Sequence, residues 1–175
     1  MNRGLIHLYT GEGKGKTTAA LGLLLRANGC GMRTVLAQFL KGRETGEIKA
    51  LENMNDVVVM RHTQELGFLC SANEETKKEI ISQNNANLIK VFRLIDDGLC
   101  DLLVLDEICA AYTNSVLDTE MVDKLIKEKP YSLELVLTGR NAPEHFIENA
   151  DYVTEFVKHK HPYDDGISAR KGIEY

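Results

Sequence analysis

The chain has 175 residues, 43% hydrophobic and 27% charged, with a formal net charge of −5. This length suits one domain, residues 1–175, around one core, and the balance excludes a disordered chain. The acidic charge argues against nucleic acid and anionic membranes as partners, and no apolar run approaches the length of a membrane span.

The first apolar run, Leu5-Ile6-His7-Leu8-Tyr9, reads as a strand that begins too soon after Met1 to leave room for a signal peptide. A cytoplasmic protein is therefore expected. The strand leads into Thr10-Gly11-Glu12-Gly13-Lys14-Gly15-Lys16-Thr17-Thr18 and then a helical run, Ala19 to Arg26. Strand, glycine-rich loop and helix in that order make a phosphate-binding loop. A polyphosphate needs many converging N–H donors, and glycine lets the backbone turn sharply and come close. The helix opening at about Lys16 adds its unpaired N–H groups and dipole. Lys16 is expected to reach the phosphates, and the Thr17 hydroxyl to hold a divalent cation. Thr10 stands where the usual pattern has its first glycine, so Gly11 and Gly13 carry the flexibility instead.

Gly29-Cys30-Gly31 closes the first helix, and Thr34 to Leu40 is a second, nearly continuously apolar strand. A polar loop, Lys41 to Glu47, precedes a short helical pattern to about Met54, and Val57–Met60 is a third strand. Residues His62 to Cys70 read as irregular chain, in which Phe68 is expected to plug a local apolar gap. Ser71-Ala72-Asn73-Glu74 has the pattern of a capping box opening a long helix, with Leu88, Val91, Phe92, Ile95 and Leu99 on one face. Leu102–Leu105 is a fourth strand ending in Asp106-Glu107. A helix from about Thr119 to Lys127 stops before Pro130, Leu133–Thr138 is a fifth strand ending in Gly139-Arg140, Pro143–Asn149 a short helix, and Tyr152–Lys158 a last strand. The tail from His159 has no clear period. Strands alternating with helices predict a three-layer α/β fold of the P-loop NTPase (RecA-like) type with a mainly parallel sheet.

In such sheets ligands bind beyond the carboxyl ends of the strands. The P-loop, Lys41-Gly42, Asp106-Glu107 and Thr138-Gly139-Arg140 all fall there. Lys14, Lys16, Arg26, Lys41 and Arg43 can supply local positive charge. An acid at the end of an apolar strand is the usual companion of a P-loop, so Asp106 is expected to orient magnesium (or manganese) or its waters. Glu107 is placed to ligate the metal or to activate water, and Arg140 to stabilise phosphate charge or simply to lie on the surface of a turn. His159 and His161 alternate on an extended segment, where solvated side chains are expected rather than a zinc site. The four cysteines (Cys30, Cys70, Cys100, Cys109) lack Cys-x-x-Cys spacing, three sit in or beside apolar stretches, and they read as buried free thiols rather than a disulfide or zinc site.

Taken together, the P-loop, Gln38-Phe39-Leu40-Lys41-Gly42, Leu105-Asp106-Glu107, Thr138-Gly139-Arg140, and the tail with His161-Pro162-Tyr163 and Gly172-Ile173-Glu174-Tyr175 resemble the P-loop class of ATP:corrinoid adenosyltransferases, almost end to end. The resemblance implies transfer of the 5′-deoxyadenosyl group of ATP to Co(I) of a corrinoid with release of triphosphate, in adenosylcobalamin synthesis or salvage. ATP is held in reversed orientation in that family. Carried across by position, Gly11, Glu12, Gly13, Lys14, Gly15, Lys16, Thr17 and Thr18 hold phosphates, Thr17 and Glu107 lie at the metal, Arg26 contacts ATP, and Arg140 lies at the corrinoid side. Phe68 matches an aromatic that helps displace the lower axial ligand of cobalt, whereas a second aromatic expected two residues later is Cys70 here. Some relatives cover the site with an N-terminal helix; with its first strand at Leu5, this chain is expected to be more open there or covered by a dimer partner. A homodimer and an electron donor such as a flavodoxin-type reductant are also implied. Two other readings remain: a RecA-like hydrolytic ATPase with Glu107 activating water, and a non-catalytic subunit that binds ATP and corrinoid.

Overall fold

Six short strands, the first five with buried apolar positions and the last exposed at the sheet edge, carry the architecture of the chain, whose computed structural model describes residues 3–62 and 73–175. They are β1 (Ile6–Thr10), β2 (Thr34–Gln38), β3 (Val57–Met60), β4 (Leu102–Asp106), β5 (Glu134–Thr138) and β6 (Tyr152–Glu155). The helices are α1 (Lys16–Gly29), α2 (Gly46–Leu51), α3 (Glu74–Asp96), α4 (Ile108–Thr113), α5 (Thr119–Glu128) and α6 (Glu144–Asn149), and a 3₁₀ turn spans Pro162–Asp165. The strands form one sheet in the order β3-β2-β4-β5-β1-β6, and every pairing is parallel. The expected α/β fold with a parallel sheet is what forms. Among the described residues no helix is long and apolar enough to cross a membrane.

Alternation along the central strands divides the core. Leu36, Leu102, Val104 and Val136 face a layer made by Ala20, Leu24 and Ala27 of α1 with Ile48 and Leu51 of α2. Val35, Leu103, Leu105, Leu135 and Leu137 face the other way, onto α3, α5 and Phe146 of α6. A sheet covered on both faces needs apolar residues at both parities, which explains the unbroken burial of β2 and β4. Register then decides what meets at the strand ends: Gln38 pairs beside Asp106, and Leu105 beside Leu137, which brings Asp106 next to Thr138.

Several sequence expectations are displaced. Ser71 lies outside the described residues, and the cap of α3 is Asn73, whose side chain accepts from the Thr76 N–H at 2.8 Å. Leu99 does not extend the buried stripe of Leu88 and Val91. The helix ends at Asp96, Gly98 adopts φ 67°, and the Gly98 and Leu99 N–H groups donate back to the Ile95 and Leu94 carbonyls, so Leu99 is carried past the helix and is 47% exposed. The final strand stops at Glu155 rather than Lys158, and the tail contains the 3₁₀ turn. Helix α4 was not expected at all.

That short helix is seated against the end of β5. Gly139 has φ 148°, and a Cβ placed there would lie 2.6 Å from the Cys109 Cβ. Both the backbone conformation and the close approach require glycine. Gly139→Ala is expected to lower the unfolding free energy by about 2–3 kcal/mol in urea titrations, the range for forcing a group into a packed site.

Candidate active site

The P-loop is shaped from two sides. Behind it runs the chain leaving β6: the Gly13 N–H donates to the Phe156 carbonyl at 2.5 Å, and the Phe156 N–H donates to that of Thr10 at 2.8 Å. A Cβ on Gly13 would stand 2.7 Å from the Phe156 oxygen, so glycine there answers to the protein's own backbone as well as to any phosphate. In front, α1 opens at Lys16 with Gly15 as its cap and no side chain accepting from its first N–H groups. Those donors, with the helix dipole, make a position suited to an anion. The Lys16 ammonium curls over the loop and donates to the Gly11 and Gly13 carbonyls at 2.5 and 2.9 Å. Burial and the neighbouring Arg140 hold its pKa below that of an ordinary lysine, against the opposing pull of Glu107 and Glu12.

Beneath the loop lies Asp106, with no exposed surface. Its Oδ1 accepts from Thr17 Oγ1 at 2.9 Å and Thr138 Oγ1 at 2.7 Å. Its Oδ2 accepts from Lys41 Nζ at 2.7 Å and Gln38 Nε2 at 3.1 Å. One carboxylate therefore ties together the start of α1, the end of β2 and the end of β5. Lys41 also donates to Thr17 Oγ1 at 2.9 Å and stands 3.7 Å from Glu107 Oε1. Burial disfavours the Lys41 charge, but Asp106 and Glu107 outweigh it and lift the pKa above the ordinary lysine value.

Glu107 caps α4 in the left-handed region at φ 61°, an uncommon conformation for a residue with a long side chain. Its N–H donates to Thr138 Oγ1 at 3.0 Å, which leaves the carboxylate directed at the cavity. Across the mouth, Arg140 Nε lies 3.4 Å from Glu12 Oε2, both side chains being largely exposed.

Glu12, Gly13, Lys14, Gly15, Lys16, Thr17, Thr18, Glu107 and Arg140 all line one cavity of about 940 Å³. Gly11 lines a smaller cleft that adjoins it through Glu12. Asp106 lies below the cavity floor. Arg26 is exposed on the third turn of α1 and is not among the lining residues, so it is not brought to the cluster. Phe68 and Cys70 lie outside the described residues.

Lys41, expected at this end of the sheet, lines the cavity too, and the tail supplies further walls: His161 contributes, and Ile173, Glu174 and Tyr175 fold over it. The tail is pinned by the Arg170–Glu174 pair at 3.0 Å and by the Arg43 guanidinium, 3.5 Å from the centre of the Tyr175 ring. The Arg170 guanidinium and N–H hold the Glu174 carboxyl down at about 2. His161 Nδ1 accepts from the Tyr163 N–H at 3.2 Å, and His159 is exposed.

The oxygens of Thr17 and Glu107, with Asp106 just behind, are hard donors of the kind magnesium takes. Asp106 already accepts four hydrogen bonds, about the full capacity of a carboxylate. The fit is therefore to an ion held by Thr17, Glu107 and phosphate oxygens, with Asp106 fixing the Thr17 hydroxyl.

The profile of the family described as ATP:corrinoid adenosyltransferase BtuR/CobO/CobP matches residues 2–175. The chain belongs to this family. A corrinoid adenosyltransferase of Sinorhizobium sp. is 37% identical over 175 residues, covering 99% of this chain and 81% of the relative. The corrinoid adenosyltransferase of Pseudomonas aeruginosa is 33% identical over 99% of this chain and 84% of its own length. Among solved structures, a KaiC-like protein of Pyrococcus horikoshii superposes with a TM-score of 0.55 at 17% identity, over 91% of this chain and 75% of that one, a likeness of fold alone.

In this corrinoid adenosyltransferase the Asp106 junction carries stability as well as geometry. Asp106→Asn removes the charge facing Lys41 and turns one acceptor into a donor. The variant is expected to lose about 2–3 kcal/mol of unfolding free energy, the scale of a hydrogen bond to a charged group, and to bind ATP weakly in calorimetric titrations.

Proposed function

We propose that residues 1–175 act as one domain that transfers the 5′-deoxyadenosyl group of ATP to the Co(I) of a corrinoid, with the P-loop holding the leaving group. What carries the reading is the convergence of the P-loop, Lys41, Glu107 and Arg140 on one cavity above a buried Asp106, in a chain that matches the adenosyltransferase family over residues 2–175.

The electron pair of Co(I) attacks C5′ of ATP. The cobalt–carbon bond forms as the C5′–oxygen bond breaks, and that bonding pair departs with inorganic triphosphate. The nucleophile belongs to the substrate, so the protein needs no activated serine or cysteine. Its work is to hold C5′ in line with cobalt and to stabilise charge growing on the leaving oxygen. The α1 N-terminus and the loop N–H groups bind the phosphates, and Lys16 turns from the Gly11 and Gly13 carbonyls onto them. Lys14, Thr18 and Glu12 border the same path, and Arg140 faces the corrinoid side. Thr17 and Glu107 would hold a magnesium ion, which would neutralise part of the triphosphate charge. The domain works as a homodimer in the cytoplasm, supplied with electrons by a flavodoxin-type donor.

The test is an anaerobic assay with ATP, magnesium and chemically reduced cobalamin, following the cobalt–carbon product by absorbance and the phosphate product by chromatography. Triphosphate is expected in equal amount to alkylated cobalamin, and none without corrinoid. Lys16→Ala is expected to cut the transfer rate by on the order of 100-fold or more, equivalent to about 3 kcal/mol of transition-state stabilisation. Steady orthophosphate release in the absence of corrinoid would instead make the protein a hydrolytic ATPase.

A further inference from the structure

Lys41 stands where the metal is expected. Its Nζ is 2.7 Å from Asp106 Oδ2, 2.9 Å from Thr17 Oγ1 and 3.7 Å from Glu107 Oε1. These are the oxygens of the three residues that the sequence marks for a divalent cation. The placement is built rather than incidental. Lys41 follows Leu40, which takes the left-handed conformation at φ 59°, a costly choice for a bulky residue, and this bend returns the lysine towards β4. Gln38 secures the same Asp106 oxygen from below at 3.1 Å.

We propose that Lys41 is a resident cation at this site, making divalent-metal binding to Thr17 and Glu107 conditional on the triphosphate. The inference rests on the metal assignment made above. An ammonium and a divalent ion cannot share these oxygens without strong repulsion at such distances. A bare divalent ion meets Lys41 already in place, hydrogen-bonded to Thr17 and balanced by Asp106. The triphosphate changes the balance by bringing several negative charges and a second set of acceptors. Lys41 then leaves Thr17 for a phosphate oxygen, and the metal takes the Thr17 hydroxyl. Metal and nucleotide binding are thereby coupled, and by linkage each strengthens the other.

The test uses Mn²⁺ as the probe, with free ion counted by electron paramagnetic resonance on the full chain. Wild type without nucleotide is expected to bind Mn²⁺ weakly, and Lys41→Met about tenfold or more tightly. Lys41→Arg, which keeps the charge, should behave like wild type, and so should Lys124→Met, which removes an exposed charge on α5. Equal Mn²⁺ affinity in wild type and Lys41→Met, both without nucleotide, overturns the inference while leaving the metal assignment intact. Should Thr17→Val leave protein-bound Mn²⁺–ATP unchanged, the metal assignment itself fails and takes the inference with it. Because Lys41→Met can unfold the Asp106 junction, nuclear magnetic resonance of the wild-type lysine ammonium groups gives a second reading. The Lys41 signal should move with Mg²⁺ and ATP together and stay in place with Mg²⁺ alone; movement with Mg²⁺ alone overturns the proposal.

Discussion

A carboxylate with no exposed surface must have its charge and its lone pairs answered by the protein, and Asp106 sets the terms for everything around it. Four donors meet it: Thr17 from the start of α1, Gln38 and Lys41 from the end of β2 and the turn beyond it, and Thr138 from the end of β5. Thr17 and Lys41 also line the cavity, and Thr138 supports Glu107, which does. The same knot that settles a buried charge thus aligns the P-loop helix with two neighbouring strand ends. Losing one donor leaves the others rearranging around an unsatisfied oxygen, so stability and phosphate geometry are linked at this point.

From that junction the rest of the site follows outward. Thr138 passes one hydrogen bond down to Asp106 and takes one from the Glu107 N–H, which holds Glu107 in its left-handed conformation and turns its carboxylate to the cavity. Gly139 lets Cys109 close against the end of β5, so α4 starts directly after Glu107, its cap. On the far side the tail brings Ile173 and Tyr175 over the cavity, and the stacked Arg43 connects that tail to the segment between β2 and α2.

Much of this was legible because the signals were local. Glycines at 11, 13 and 15 followed by Lys16-Thr17 after an apolar strand mark a P-loop from spacing alone, and Leu102–Leu105 followed by Asp106 marks the acid that accompanies it. What escaped was either too short or too distant. Six residues of α4 make less than two turns, so no helical period can declare itself. Position after an apolar strand places Lys41 at the ligand end of the sheet, but its partnership with Asp106 arises because β2 and β4 are neighbours in the sheet although α2, β3 and α3 intervene in the chain. Arg26 stands ten residues, about 15 Å, along α1 from Lys16, and only the resemblance marked it as a contact to ATP. The closing of the tail over the cavity depends on contacts with Arg43 and within residues 170–175, which no periodicity in the tail announces.

The claim that one carboxylate unites the P-loop with the fifth strand is tested most directly by a double-mutant cycle on Thr17 and Thr138. Both hydroxyls donate to Asp106 Oδ1, at 2.9 and 2.7 Å, and no hydrogen bond joins them to each other among the described residues. Unfolding free energies would be measured for Thr17→Val, Thr138→Val and the double variant. The account predicts a coupling of about 0.5–3 kcal/mol transmitted through the shared oxygen. Additivity within about 0.3 kcal/mol would contradict it, because the two elements would then be held independently.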